Sequence, residues 1–119
     1  MGIKIFDSEL KVMEVLWEKG DMTAGEIVKI LKERTGWNPN TTYTVIKKLI
    51  DKNAIERFEP GFNCKAIVKK EEVQQYEADE LIGKLFNGSA EVFLSAFLSG
   101  KELSGEEIDR LKQLVENLK

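Results

Sequence analysis

Asn40, Thr44, Lys47, Lys48 and Asp51 recur at helical spacing on one side of a short segment, with Thr41 and Tyr43 at its edges. Amide and hydroxyl groups near a helix N-terminus can hydrogen-bond base edges. Lysines behind them can neutralise phosphates. Thr42, Val45, Ile46, Leu49 and Ile50 fall on the opposite side and form an apolar stripe. Taken alone, the polar stripe is more simply a solvated helix face, because such patterns are individually unspecific. The elements around it decide the matter.

The segment opens with Asn38, a good N-cap, and Pro39, whose missing N–H costs nothing at the first helical position. It should stop at Asn53, a residue that tolerates left-handed backbone. Upstream, Asp7 is a plausible N-cap for a helix carrying Leu10, Met13, Leu16 and Trp17, which Gly20 should end. Thr23-Ala24-Gly25-Glu26 is a capping box that starts a second helix, with Ile27, Ile30 and Leu31 inward and an end near Gly36. Downstream, 54–58 and 64–68 predict two strands joined through Pro60-Gly61. Three short helices followed by a hairpin give the order of a winged helix. The fold expected is mainly α with a small antiparallel β wing, in a winged helix-turn-helix domain over 1–70.

Residues 71–119 read as a helical dimerisation region. Val73, Tyr76, Leu81, Leu85 and Phe86 share a helix ending near Asn87-Gly88, and an apolar segment follows from Ser89 to about Ser99. Ser104-Gly105-Glu106-Glu107 is another capping box, launching Ile108, Leu111, Leu114, Val115 and Leu118 at helical spacing. About fifty residues rarely sustain their own core. The economical way to bury these faces, with Val92, Phe93, Leu94, Phe97 and Leu98, is against the same segment of a second chain, giving a twofold homodimer.

Charge supports this division. The whole chain of 119 residues carries −3, which is unusual for a nucleic-acid binder. Residues 1–70 hold 13 basic against 10 acidic side chains, net +3, and residues 71–119 hold 5 against 11, net −6. Any nucleic acid should therefore meet the front half. Cys64 is the single cysteine, so no internal disulfide can form, which favours a reducing cytoplasm. Its simplest reading is a small apolar strand residue, as Trp17 and Trp37 are core residues. The longest apolar run, 92–98, is too short to span a bilayer, so no membrane insertion is expected. Phe6 denies the Met1-Gly2 start a myristoylation motif, and no signal peptide is expected.

Catalytic chemistry finds little to work with. There is no histidine, which excludes imidazole acid/base catalysis and Ser-His or Cys-His pairs. Zinc would have only Cys64 and carboxylates, without ligand spacing, so no metal or cofactor is expected. No P-loop or dinucleotide fingerprint occurs. An enzyme is not expected.

The ordered set of segments 8–17, 23–28, 37–41, 48–55, 85–89 and 103–108 resembles the penicillinase-repressor family of bacterial winged-helix regulators over nearly the whole length. The resemblance implies a homodimeric repressor on a pseudo-palindromic DNA operator, controlling a resistance or stress-response operon, with the recognition helix in the major groove. Asn53 stands where many relatives have Gly. Copper-responsive relatives carry a cysteine-rich tail that this chain lacks. In β-lactam-responsive relatives a sensor-linked protease triggers cleavage at an Asn-Phe bond. The corresponding bond here is Ala96-Phe97, with the Phe kept and the Asn not, so cleavage control stays open.

The expected groove contacts are Asn40, Tyr43, Thr44 and Lys47, with Thr41 serving bases or phosphate. Lys48 and Lys52, with Arg57 and Lys65 in the wing, should neutralise phosphates. The N-terminus of the second helix near Thr23 should hold another. The rivals are a winged-helix protein-interaction module, which the acidic pI favours slightly, and a one-component sensor with an effector in the tail.

Overall fold

Helix-starting side chains set the frame of the computed structural model, which describes residues 3–118. The Met1-Gly2 start lies outside them. Six helices and three strands follow one another as α1 (Asp7–Lys19), β1 (Met22–Thr23), α2 (Ala24–Thr35), α3 (Pro39–Asp51), β2 (Ile55–Phe58), β3 (Asn63–Ala66), α4 (Lys70–Leu85), α5 (Ala90–Ser99) and α6 (Gly105–Glu116). Thr23 and Glu26 form the expected capping box of α2, and Ser104 and Glu107 that of α6. Asn38 caps α3 with Pro39 in its first turn. Gly36 (φ 77) and Asn53 (φ 63) take the left-handed turns after α2 and α3.

Two local expectations change. Phe6, not Asp7, is the N-cap of α1, and Asp7 is its first helical residue. Glu9 causes the shift, because its Oε1 accepts the Phe6 N–H at 2.9 Å. The hairpin also gains a third strand. The two residues of β1 pair antiparallel with β3 (Met22 opposite Cys64, Thr23 opposite Asn63), giving the order β1-β3-β2. In the β2–β3 ladder Ile55 faces Ala66 and Glu56 faces Lys65, so opposite charges meet across the strands.

The chain divides into two compact units, a front unit ending at Asp79 and a tail unit starting at Glu80. The front unit packs Val12, Met13, Val15 and Leu16 of α1 against Ile27 and Leu31 of α2 and Val45, Ile46 and Leu49 of α3. Ile55 and Cys64 close it from the sheet, and Val73 in the first turn of α4 joins the same core. That burial extends the front unit past residue 70. Each such side chain contributes about 1.5–3 kcal/mol on transfer from water. Trp17 is half-buried and its indole N–H donates to the Val68 carbonyl at 2.9 Å. Among the described residues no single helix is long and apolar enough to cross a membrane.

Candidate nucleic-acid interface

The core fixes which way α3 faces. Thr42, Val45, Ile46 and Leu49 are buried, so Asn40, Thr41, Tyr43, Thr44, Lys47, Lys48 and Asp51 are all exposed. Thirteen residues make a rod about 20 Å long, which a major groove about 12 Å wide admits. Asn38 Oδ1 accepts the Thr41 N–H at 2.9 Å and the Thr41 hydroxyl at 3.2 Å, so Thr41 is tied into the cap. Lys47 and Lys48 form no ion pair among the described residues. The Thr42 hydroxyl, within the core, has no hydrogen-bond partner among them.

Lys52 departs from the expected phosphate set. Its ammonium donates to Glu9 Oε1 at 2.7 Å and to the Lys4 carbonyl at 3.0 Å, and lies 4.9 Å from the centre of the Phe6 ring. Glu9 is 3% exposed, so this lysine, itself only partly exposed, neutralises a buried carboxylate. Sequence reasoning missed Glu9, although its spacing to Met13 and Leu16 places it on the inward face of α1.

The start of α2 is also narrower than expected. Thr23 Oγ1 accepts the Glu26 N–H at 3.1 Å, and Glu26 Oε1 accepts the Thr23 N–H at 3.0 Å. The Thr23 backbone N–H, then its hydroxyl, hold the Glu26 carboxyl below the usual carboxylate range. The Ala24 N–H donates to the Phe62 carbonyl at 2.9 Å. Thr23 therefore works as a cap, with a carboxylate beside it that opposes a phosphate.

In the wing, Lys65 is exposed and the Arg57 guanidinium lies 3.7 Å from the centre of the Phe62 ring. Arg57 Nε donates to Glu59 Oε2 at 2.7 Å. That bond, and next the Phe62 N–H, hold the Glu59 carboxyl below its ordinary range. The Phe62 ring sits 6.0 Å from Tyr43 on α3, centre to centre. Cys64, buried in β3, has its thiol pushed up to about 11 by burial.

The tail unit presents a second surface of another kind. No residue from 80 to 118 is buried. Leu81, Leu85, Val92, Leu94, Phe97, Ile108, Leu111, Leu114, Val115 and Leu118 are exposed, and Phe86 and Phe93 are half-buried. Phe93 meets Phe86 edge-on at 5.2 Å and stacks on Phe97 at 5.7 Å. Between α5 and α6 an apolar groove of about 510 Å³ is lined by Leu98, Leu103, Ile108, Leu111 and Val115. Tyr76 is half-buried on the part of α4 that belongs to the front unit. The Ala96-Phe97 bond lies inside α5, not in a loop tip where nicking concentrates.

Comparison with known proteins matches the sequence profile of the Penicillinase repressor family to residues 5–117. A penicillinase repressor of Bacillus licheniformis is 30% identical over 118 residues, covering 98% of this chain and 92% of that protein. The methicillin resistance regulatory protein MecI of Mammaliicoccus sciuri is 25% identical over 114 residues, covering 94% and 93%. The solution structure of the DNA binding domain of the repressor BlaI superposes with a TM-score of 0.55 at 29% identity, over 60% of this chain and 93% of that one. The Bacillus licheniformis BlaI monomeric form in complex with the blaP half-operator gives a TM-score of 0.54 at 28% identity, over 60% and 90%.

Proposed function

The chain belongs to the penicillinase-repressor family, and from that premise we propose that it is a sequence-specific DNA-binding transcriptional repressor, a homodimer on a pseudo-palindromic operator. The regulated genes form a resistance or stress-response operon, and the protein works in the cytoplasm without a catalytic step. One observation carries the reading. The polar side of α3 is exposed, with Lys47 and Lys48 in no ion pair among the described residues, while the other side of the same helix is core. The half-operator complex of a relative with a similar front unit supports one winged helix per half-site.

Asn40, Tyr43, Thr44 and Lys47 read base edges, while Lys48, Arg57 and Lys65 hold phosphates. Paired tails set the two recognition helices about one duplex turn apart, or a multiple of it. Occupancy of the promoter excludes polymerase. Loss of the dimer halves the phosphate contacts and steeply weakens binding.

Selection by the full chain from a pool of random duplexes tests this. An inverted repeat is expected among the bound sequences; enrichment of nothing, or of single asymmetric sites, refutes it. In the same selection, Asn40→Ala should relax one position of each half-site, at a cost of about 1–3 kcal/mol. An unchanged preference removes Asn40 from the readers.

A further inference from the structure

Phe62 holds together three parts of the front unit, the wing and the recognition helix that supply the proposed DNA contacts and the start of α2. Its backbone sits at φ 55, a left-handed conformation that is costly for an aromatic residue. Such an outlier persists only where its surroundings over-determine it. Here they do. The Phe62 carbonyl accepts the Ala24 N–H of α2 at 2.9 Å. Its ring carries the Arg57 guanidinium on one contact and the Tyr43 ring on another. Its N–H donates to Glu59 Oε1 at 3.4 Å, and Glu59 in turn binds Arg57 Nε.

We propose that Phe62 is a positioning residue that, anchored on the start of α2, locks the wing arginine and the recognition-helix tyrosine into one rigid DNA-reading edge. The inference rests on the DNA-binding reading above. With Nε bonded to Glu59 and its face on the ring, the half-exposed Arg57 side chain has little freedom left to lose on meeting a phosphate. Tyr43 and Arg57 belong to different elements. Phe62 touches both, and so makes their contributions interdependent.

The test uses the full chain and the duplex recovered from the random pool, with an unrelated duplex of equal length as control. Phe62→Leu keeps apolar bulk and removes the ring. It should fold, weaken binding to the selected duplex about tenfold and weaken the unrelated duplex less, because the Arg57 phosphate contact serves any sequence and the Tyr43 base contact does not. Phe62→Tyr, which keeps the ring, should restore wild-type binding. Arg57→Ala should cost several-fold in the wild type and almost nothing in the Phe62→Leu background. Equal Arg57→Ala losses in both backgrounds, or full affinity in Phe62→Leu, overturn the proposal. If Phe62→Leu does not fold, the cycle of Tyr43→Ala and Arg57→Ala carries the test, because both positions are exposed. Losses that combine less than additively support the shared support, and strict additivity overturns it. Wild-type protein that binds no duplex removes the DNA-binding reading and this proposal together. Wild-type binding with an indifferent Phe62 removes this proposal alone.

Discussion

Leu49 in α3 and Leu114 in α6 occupy equivalent places on regularly amphipathic helices, yet Leu49 is sealed from solvent and Leu114 is 61% exposed. The difference runs through the two units. The front unit closes a core from three helices, a three-stranded sheet and the first turn of α4. The tail unit, whose α5 is mostly apolar, has no buried residue from 80 to 118. Regular spacing of apolar residues forms a helix face in both cases, but only enough surrounding elements turn a face into a core. The front unit satisfies itself and leaves its polar side for a ligand. The tail has its apolar side still to cover, which is what a twofold partner would supply.

Core substitution should separate the units most sharply. Leu49→Ala should cost about 2–5 kcal/mol in chemical denaturation, independent of protein concentration. Leu114→Ala should instead shift a concentration-dependent transition. If both behave alike, the contrast between the units is lost. Leu111→Asp, which puts a charge into the proposed pairing surface, should yield monomers in ultracentrifugation with the front unit still folded. Operator affinity should then fall by about 100-fold, or ~2.7 kcal/mol. A dimer of unchanged mass excludes Leu111 from the interface.

Within the front unit, two lysines of neighbouring sequence should behave differently. Lys48→Ala should lower the salt slope of operator binding by about two, one for each protomer. Lys52→Met should leave the slope alone but destabilise the fold, since Glu9 loses its counter-charge. Adding Glu9→Gln to Lys52→Met should recover much of that stability. A reduced slope in Lys52→Met would return this lysine to the phosphate contacts. Acid should produce the smallest effect. The folded Glu26 and Glu59 carboxyls lie below their ordinary value of 4.5, so their contribution is complete above it and is lost as pH falls through the lower folded values. Denaturation midpoints followed from pH 5 to 3 should drop less in Glu59→Gln than in the wild type; equal drops would discount Glu59.

The starts of α2, α3 and α6, the succession of helices and wing, and the outward side of α3 were legible in the sequence because they depend on near neighbours. Asn38-Pro39, Thr23 with Glu26, and Ser104 with Glu107 are complete signals within four residues. What escaped depends on distant partners. A lysine at position 52 has the same composition and spacing whether it meets water or a carboxylate 43 residues away. Two residues of strand at Met22–Thr23 carry no period to detect, and they exist because β3 offers them a ladder. Phe62 looked like part of a turn, and its role appears only once Ala24, Tyr43 and Arg57 are brought around it.

Cys64 gives the front unit a built-in clock. With its thiol pushed up to about 11 and its side chain sealed from solvent, it should ignore neutral disulfide reagents while the wing stays closed. Labelling must wait for the sheet to part, so its rate would count spontaneous openings of the wing in a molecule that needs no engineered reporter. Fraying confined to the tail would pass unrecorded, and duplex bound across the wing should slow the reaction in proportion to its occupancy.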